Sequence, residues 1–347
     1  MSGIGPAQTE RGQELLEAAR RGDEGAYATL VEPHRGELHV HCYRMLGSVA
    51  DAEDALQEAL LQAWRGLSGF EGRGSLRAWL YRIATNTCLR AIERRRRRML
   101  PVDFGPAAAR HERPGAPLVE SAWVEPYPDD LLASGRGAVA PDARYEQRES
   151  IELAFIAALQ QLPARQRAVL ILCDVLGFSG AEAAAALETT PASVYSALQR
   201  AHRAVDERVP EQSQQATLRA LGDAGLRTLV RAYVDAWERG DVDAVVSMLT
   251  DDALIAMPPM ATWYRGREAV AWFLRGWPLA GGRPWRVLRV RASGQLAFGH
   301  YIEDEATGRF VPHGINILAL HGAAISEITA FLTPGAFTRF GLPPGPL

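Results

Sequence analysis

Five consecutive arginines, Arg94 to Arg98, stand in a chain whose formal net charge is only −3. Like charge this dense repels itself, so it is either solvated or held by an anionic partner. A second group of chemistry-bearing residues comprises Ser193, Tyr195, Ser196, Gln199, Arg200 and Arg203. Gln and Arg can bond base edges, and Arg also suits phosphate. A third group, Asp54, Gln57 and Glu58, is acidic or amide-bearing. A fourth, Tyr233, Asp235, His300, His313 and Asn316, holds groups that could act as acid, base or oxyanion donor. These five form no spaced motif, so core or surface roles fit them better than catalysis, which needs a positioned base and donor.

The elements that must position these groups fall into three blocks. Residues 9–100 read as helical. In "DAEDALQEALLQAW" the residues Ala52, Leu56, Ala59, Leu60 and Ala63 recur at three- and four-residue spacing and form an apolar stripe. Asp54, Gln57, Glu58 and Leu61 lie off it. A further helix is expected over Leu76–Arg97, with Leu76, Leu80, Ile83, Thr87 and Ala91 facing inward and Trp79 beside that stripe. The glycine-rich Ser68–Ser75 between them is a loop. Residues 101–142 are Pro-rich and aperiodic, which reads as an extended linker.

Residues 143–209 carry a helix-turn-helix pattern. Ser179 and Glu182 make an S-x-x-E capping box, "ETT" is the turn, and Thr190 caps a helix with Pro191 at its first position. On that helix Val194, Leu198 and Ala201 mark the buried side, leaving the second group outward. "PEQSQQATLRALGDAG" is a linker or a short connecting helix. Residues 226–347 open with two amphipathic helices and continue with five strand-like runs, as in an α+β domain. Its aromatics, Trp237, Trp263, Tyr264, Trp272, Trp277 and Trp285, could line a small apolar pocket with Tyr233, His300 and His313, although core packing is the stronger default.

Composition narrows the classes. A length of 347 residues implies two or three domains. Cys42, Cys88 and Cys173 form no CxxC or Cys/His cluster, which points to a reduced, cytoplasmic compartment without a zinc site. No signal peptide or membrane-length apolar run is visible. No metal or cofactor motif occurs, so none is expected. All 38 basic positions are arginine.

A basic helix and a helix-turn-helix on one chain point to nucleic acid. Here "DAEDALQEALLQAW", "WLYRIATNTC" and "LPARQRAVLILCDVLGFSGAEAAAALETTPASVYSALQRA" resemble bacterial RNA polymerase sigma factors of the extracytoplasmic-function class. "WVEPYPD", "AWERGDVDAVVSMLTDDA", "MPPMATWYRGREAV" and "RFGLP" resemble the subgroup with a fused SnoaL-like domain. The resemblance implies two all-α domains, the second with the helix-turn-helix, then an α+β SnoaL-like domain of the cystatin/ketosteroid-isomerase cone type. It implies core RNA polymerase as partner, through the largest-subunit clamp helices and the flap, and promoter DNA.

By match, Asp54, Gln57 and Glu58 would contact the clamp helices. Phe70, Ile83 and Asn86 would line a pocket for an unstacked −10 base, and Arg90 with Arg94, Arg95, Arg96, Arg97 and Arg98 would grip phosphates beside it. Ser193, Tyr195, Ser196, Gln199, Arg200 and Arg203 would face the −35 element. Two departures stand out: Tyr195 replaces a basic or amide reader of many relatives, and His202 replaces an Arg. An ordinary repressor with a ligand-sensing tail would need neither the acidic helix nor a separate melting helix. An isomerase or cyclase in the terminal block is the third class weighed; the reading favoured is a promoter-specificity subunit without catalysis of its own, modulated by its terminal domain.

Overall fold

The structure is a computed structural model that describes residues 6–70, 75–109, 111–118, 123–133 and 147–347, with side chains from Arg11 onward. The loop reading over Ser68–Ser75 and the linker reading over 101–142 fall partly outside the described residues, as does the start of the second helical block. The helices used below are α1 (Pro6–Arg20), α2 (Glu24–Leu46), α3 (Val49–Gly66), α4 (Leu76–Arg94), α5 (Leu153–Gln161), α6 (Ala164–Leu170), α7 (Gly180–Ala186), α8 (Pro191–Asp206), α9 (Gln214–Glu238), α10 (Val242–Ser247) and α11 (Arg267–Gly276). Two compact units result. One comprises Met1–Arg95, Leu131–Val139 and Leu162–Val205; the other comprises Arg96–Asp130, Ala140–Gln161 and Asp206–Leu347, in each case over the described residues.

In the first unit the helix ends are set by local chemistry. Asp23 accepts from Ala26 N at 2.9 Å, Ser48 from Asp51 N at 3.1 Å and Ser75 from Ala78 N at 3.1 Å, each meeting one orphan N–H of a first turn. Gly47 closes α2 with φ 69°, a left-handed conformation that glycine adopts without a Cβ penalty. The α3 stripe is buried as expected, with Val49 and Ala55 added to it.

The inward face of α4 is a correction. Leu80, Tyr81, Ala84, Thr85, Thr87 and Cys88 are buried, while Leu76, Ile83 and Ala91 are only half-buried. Leu80 and Thr87 are inward as expected, and packing against α2 and α3 turns the helix so that Tyr81, Ala84, Thr85 and Cys88 complete the face in place of Leu76, Ile83 and Ala91. Cys42 and Cys88 meet in that core, and the contact with Cys42 together with burial pushes the Cys88 thiol up. The helix also ends earlier than expected, at Arg94, with Arg95 extended at φ −119°, ψ 155°. Like charges one turn apart destabilise a helix, and Arg95 instead meets Asp51 and lies 4.0 Å from Asp54.

The second half of this unit is the helix-turn-helix. α6 runs on through a π turn at Ile171–Val175. The Ser179–Glu182 capping box forms in both directions. Thr190 caps α8 by accepting from Ser193 N at 3.2 Å. Buried Arg167 donates to Met45 O, and Arg77 lies 4.8 Å over Tyr81 and 5.7 Å from the Phe178 ring. Tyr81 and Phe178 stand 5.6 Å apart, edge to face.

The second unit is built on a six-stranded sheet ordered β2-β1-β6-β5-β4-β3. The strands are β1 (Leu249–Ala256), β2 (Trp263–Arg265), β3 (Trp285–Ala292), β4 (Gln295–Asp304), β5 (Arg309–His321) and β6 (Ala324–Phe331). All pairings are antiparallel except β1 with β6. α9, α10 and α11 share its core, which contains Tyr233, Trp237, Phe273, Leu274, Trp285, Phe298 and Ile328. The five expected strand runs are present; α11 and the three-residue β2 are additions.

Over its described residues the Pro-rich segment is extended only between two short helical turns, Pro101–Phe104 and Asp130–Ala133, and it does not hang free. Ala108 N donates to Trp263 O at 2.8 Å, Leu118 N to Pro259 O at 2.9 Å and Trp263 Nε1 to Gly105 O at 2.9 Å. The connecting stretch before residue 226 is the first part of α9, which bends at Gly222 with φ 67°. Its first turn is capped from far away in sequence: Gln214 N and Gln215 N donate to the Glu152 carboxylate at 3.0 and 2.9 Å.

Burial raises Glu152 from its ordinary 4.5 to about 7, against the pull of those two N–H groups. A carboxyl raised on folding stabilises most below its unfolded pKa, and that contribution is lost as pH climbs through the folded value. Stability should therefore fall between pH of about 4.5 and about 7, and Glu152→Gln should flatten that slope. Thermal melts of both proteins across this range check it; parallel curves would refute the assignment.

Candidate polymerase and nucleic-acid interface

The exposed face of α3 presents Asp54, Gln57, Glu58 and Leu61, together with Glu53 and Arg65, while Ala52, Ala55, Leu56, Ala59, Leu60 and Ala63 are drawn into the core stripe. Gln62 Nε2 donates to Glu58 at 2.7 Å, and its Oε1 accepts from Arg90 Nη2 at 2.9 Å, so one amide links the acidic helix to the basic one. A groove of about 420 Å³ runs between them. One wall is Asp51, Asp54 and Glu58; the other is Arg90, Arg94 and Arg95. Gln62 was not singled out from the sequence; its spacing of four from Glu58 was the available signal.

Along α4, Ile83 and Asn86 are half-buried and Arg90 is exposed, with Arg90 Nε donating to Asn86 O at 3.2 Å. These three lie three to four residues apart and share a face. Phe70 does not present its ring beside them. It is 8 % exposed, lies tilted against Trp79 with ring centroids 5.0 Å apart and has Arg20 at 6.0 Å. Trp79 packs against the buried cluster of Ala19, Ala26 and Leu67, the core role expected of it. The ring of Phe70 would have to leave this contact to meet a base.

The arginine run divides. Arg94 and Arg97 are exposed, and so is Arg96. Arg95 is paired with Asp51 and Asp54. Arg98 is half-buried, 3.6 Å from Glu125 and donating to Trp123 O at 2.6 Å.

On α8, Ser193, Tyr195, Ser196, Gln199, Arg200 and Arg203 are all exposed, while Val194, Ala201 and Val205 are buried. Ser193 is engaged at the cap, and Arg200 Nη1 donates to Ser196 Oγ at 2.7 Å. His202 is paired with Asp174 at 2.5 Å, which fixes the helix against the π turn.

In the second unit Tyr233, Trp237 and His300 come together. Asn316 Nδ2 donates to Tyr233 Oη at 3.0 Å and lies 3.4 Å from His300 Nε2; Trp237 stands 4.6 Å from the His300 ring. His313 joins the rim, edge-on to Trp285 at 5.1 Å. Trp263 does not join them, since it binds the 105–108 segment instead. Asp235 is exposed. Burial drives His300 down to about 3, so the ring is neutral at physiological pH. A base that weak is poorly matched to proton abstraction near neutrality.

Residues 30–98 match the sigma-70 region 2 family, residues 152–205 match sigma-70 region 4 and residues 230–328 match the SnoaL-like domain. Over 328 residues the chain is 40 % identical to the ECF RNA polymerase sigma factor SigG of Mycobacterium tuberculosis, an alignment covering 93 % of this chain and 85 % of that one. The chain belongs to the extracytoplasmic-function family of RNA polymerase sigma factors. A sigma factor directs transcription initiation at promoters, and this one carries a SnoaL-like domain after the two sigma regions.

This sigma factor is also 28 % identical to the ECF RNA polymerase sigma-E factor of Escherichia coli, over 57 % of this chain and 93 % of that one. The crystal structure of the Mycobacterium tuberculosis extracytoplasmic function sigma factor SigJ covers 91 % of this chain and all of its own, with TM-score 0.57 and 21 % identity, which shows a shared fold. No helix among the described residues of the sigma factor is long and apolar enough to cross a membrane.

Proposed function

We propose that this sigma factor works in the cytoplasm, binds core RNA polymerase through the exposed face of α3, opens −10 DNA along α4 and reads the −35 element with α8. Asp54, Gln57 and Glu58 are assigned to the largest-subunit clamp helices, and the helix-turn-helix block also to the flap. Asn86 and Ile83 are assigned to the opened −10 strand, Arg90, Arg94 and Arg97 to its phosphates. The observation that carries this reading is the α3/α4 groove, which sets an acidic wall beside a basic one on adjacent helices. A repressor that needs only duplex DNA has no use for the acidic wall.

The terminal domain is assigned regulation rather than catalysis. It holds both the segment that follows the arginines and α5, which opens the region 4 match. Tyr127 N donates to Ser293 Oγ at 3.1 Å, Gly294 N to Asp129 at 2.8 Å, and Leu153 N to Gln295 Oε1 at 2.8 Å. A small apolar ligand would have to displace Tyr233, Trp237, Trp285, Phe298 or His300, each at most 3 % exposed.

The test is transcription by purified core polymerase from a cognate promoter with this protein added. Within it, Gln199→Ala or Arg200→Ala should relax discrimination at one or two −35 base pairs by about 1–3 kcal/mol each. Arg203→Ala should weaken all sequences alike. Duplex binding that is as strong without core polymerase as with it would favour the repressor reading.

A further inference from the structure

Tyr195 is the most exposed large apolar side chain of the chain's described residues, at 61 %, and it stands on the helix assigned to the −35 element. Its ring, however, does not project straight from α8. Gly180, the first residue of α7, lies directly beneath it: a Cβ built on Gly180 would fall 2.7 Å from Tyr195 Cζ and 2.8 Å from its Oη. No real Cβ tolerates such distances, so the phenol is seated on glycine backbone, and only glycine leaves room for it. The far end of the ring is thereby folded toward α7, while Gln199 and Arg200 continue along the exposed face of α8.

In a helix-turn-helix the second helix lies in the major groove and the first crosses the phosphate backbone. A hydroxyl folded onto the start of the first helix is therefore delivered to the backbone, away from base edges. Tyr hydroxyls are regular donors to phosphate oxygens, and such contacts set register without reading sequence. We infer that Tyr195 is a phosphate contact that fixes the seating of α8 on the −35 duplex, and that Gly180 is its positioning residue. The ligand chemistry is one non-bridging phosphate oxygen, accepting from Tyr195 Oη. This rests on the reading that α8 enters the −35 groove. It also changes the meaning of the departure seen in the sequence: an aromatic in place of a basic or amide reader alters how the helix is seated, with base choice left to Gln199 and Arg200.

The experiment uses full-length protein assembled with core polymerase and a set of promoter duplexes carrying each single −35 base-pair change. Tyr195→Phe should weaken every duplex by a similar factor, about tenfold to a hundredfold for a lost hydrogen bond to a charged group. The ranking of the duplexes should stay as in the parent, and the salt slope should not change, because the phenol carries no charge. Gly180→Ala should give the same uniform loss by pushing the ring off its seat, with an unchanged melting temperature. The double variant should be no worse than Tyr195→Phe alone, as for two changes acting on one contact. A shift in preference at one base pair in Tyr195→Phe would make the residue a base reader and overturn the proposal; so would unchanged affinity. A parent that ranks all −35 sequences equally would sink the proposal together with the groove reading, and the parent's own data distinguish that case.

Discussion

Replacing Arg94 and Arg97 together by Gln should lower the slope of log affinity against log salt for promoter binding by the assembled polymerase by about 1.4–1.8, since each phosphate contact contributes about 0.9 on duplex and about 0.7 on a single strand. Between 50 and 200 mM salt that difference is worth on the order of tenfold in affinity. These two are chosen because both side chains are exposed. Arg95→Gln should behave otherwise. It removes the partner of Asp51 and Asp54, so its main effect should fall on core-polymerase affinity rather than on the salt slope. Arg98→Gln should act on folding, because its guanidinium meets Glu125 and Trp123 O. An unchanged slope in the Arg94/Arg97 variant would mean that these arginines are merely solvated. The dense run is thus reconciled with a net charge of −3: part of it is neutralised within the fold, and only part faces outward.

That division was not legible in the sequence. Five identical neighbours give no local signal of which one turns back to an acidic helix, and the end of α4 at Arg94 is set by that ion pairing and by charge repulsion. The α3 stripe was legible from its period, and the helix-turn-helix from its period and caps together, and these signals are local. The α4 stripe was only partly legible. Leu80 and Thr87 are buried as expected, but Leu76, Ile83 and Ala91 give way to Tyr81, Ala84, Thr85 and Cys88, and only the packing of neighbouring helices decides between these adjoining faces.

In the terminal block, strands carried by alternation were readable. β2 was not, because three residues become a strand only by pairing with β1. Of the aromatic set, Trp237 and His300 pack with Tyr233 in the core, whereas Trp263 lies apart from them. Nothing in composition says that a tryptophan will bind a carbonyl of a distant Pro-rich segment. Phe70 is a like case: by match it would meet a −10 base, and its ring lies tilted against Trp79, a contact that no local signal in the sequence announces.

Removal of the chain after Val209 should raise transcription from a cognate promoter severalfold without changing promoter preference. The physical basis is the turn between β3 and β4. Ser293 and Gly294 both take positive φ, 55° and 65°, as a tight hairpin turn requires. That geometry aims the turn's backbone and the next side chain at two other segments at once. Ser293 N donates to Tyr127 O at 2.7 Å, Gly294 N to Asp129 and Gln295 Oε1 accepts from Leu153 N. Tyr127 is fully buried there. The turn therefore clasps the segment leaving the arginines and the helix opening region 4.

A domain tethered by so short a connection acts at an effective concentration on the order of mM. It shifts an equilibrium only through contacts that differ between the two states, and these clasp bonds are such contacts if polymerase binding requires the two segments to move. Gln295→Ala leaves Leu153 N buried without its acceptor, a cost of about 1–3 kcal/mol, and should reproduce part of the truncation's gain while keeping the domain. It also decides the matter if the truncated chain folds poorly once Tyr127 is uncovered. Full-length, truncated and Gln295→Ala proteins compared in a purified transcription assay give the answer. Equal activity of all three across protein concentrations, with and without cell extract as a ligand source, would remove the regulatory role and return the terminal domain to the enzymatic reading.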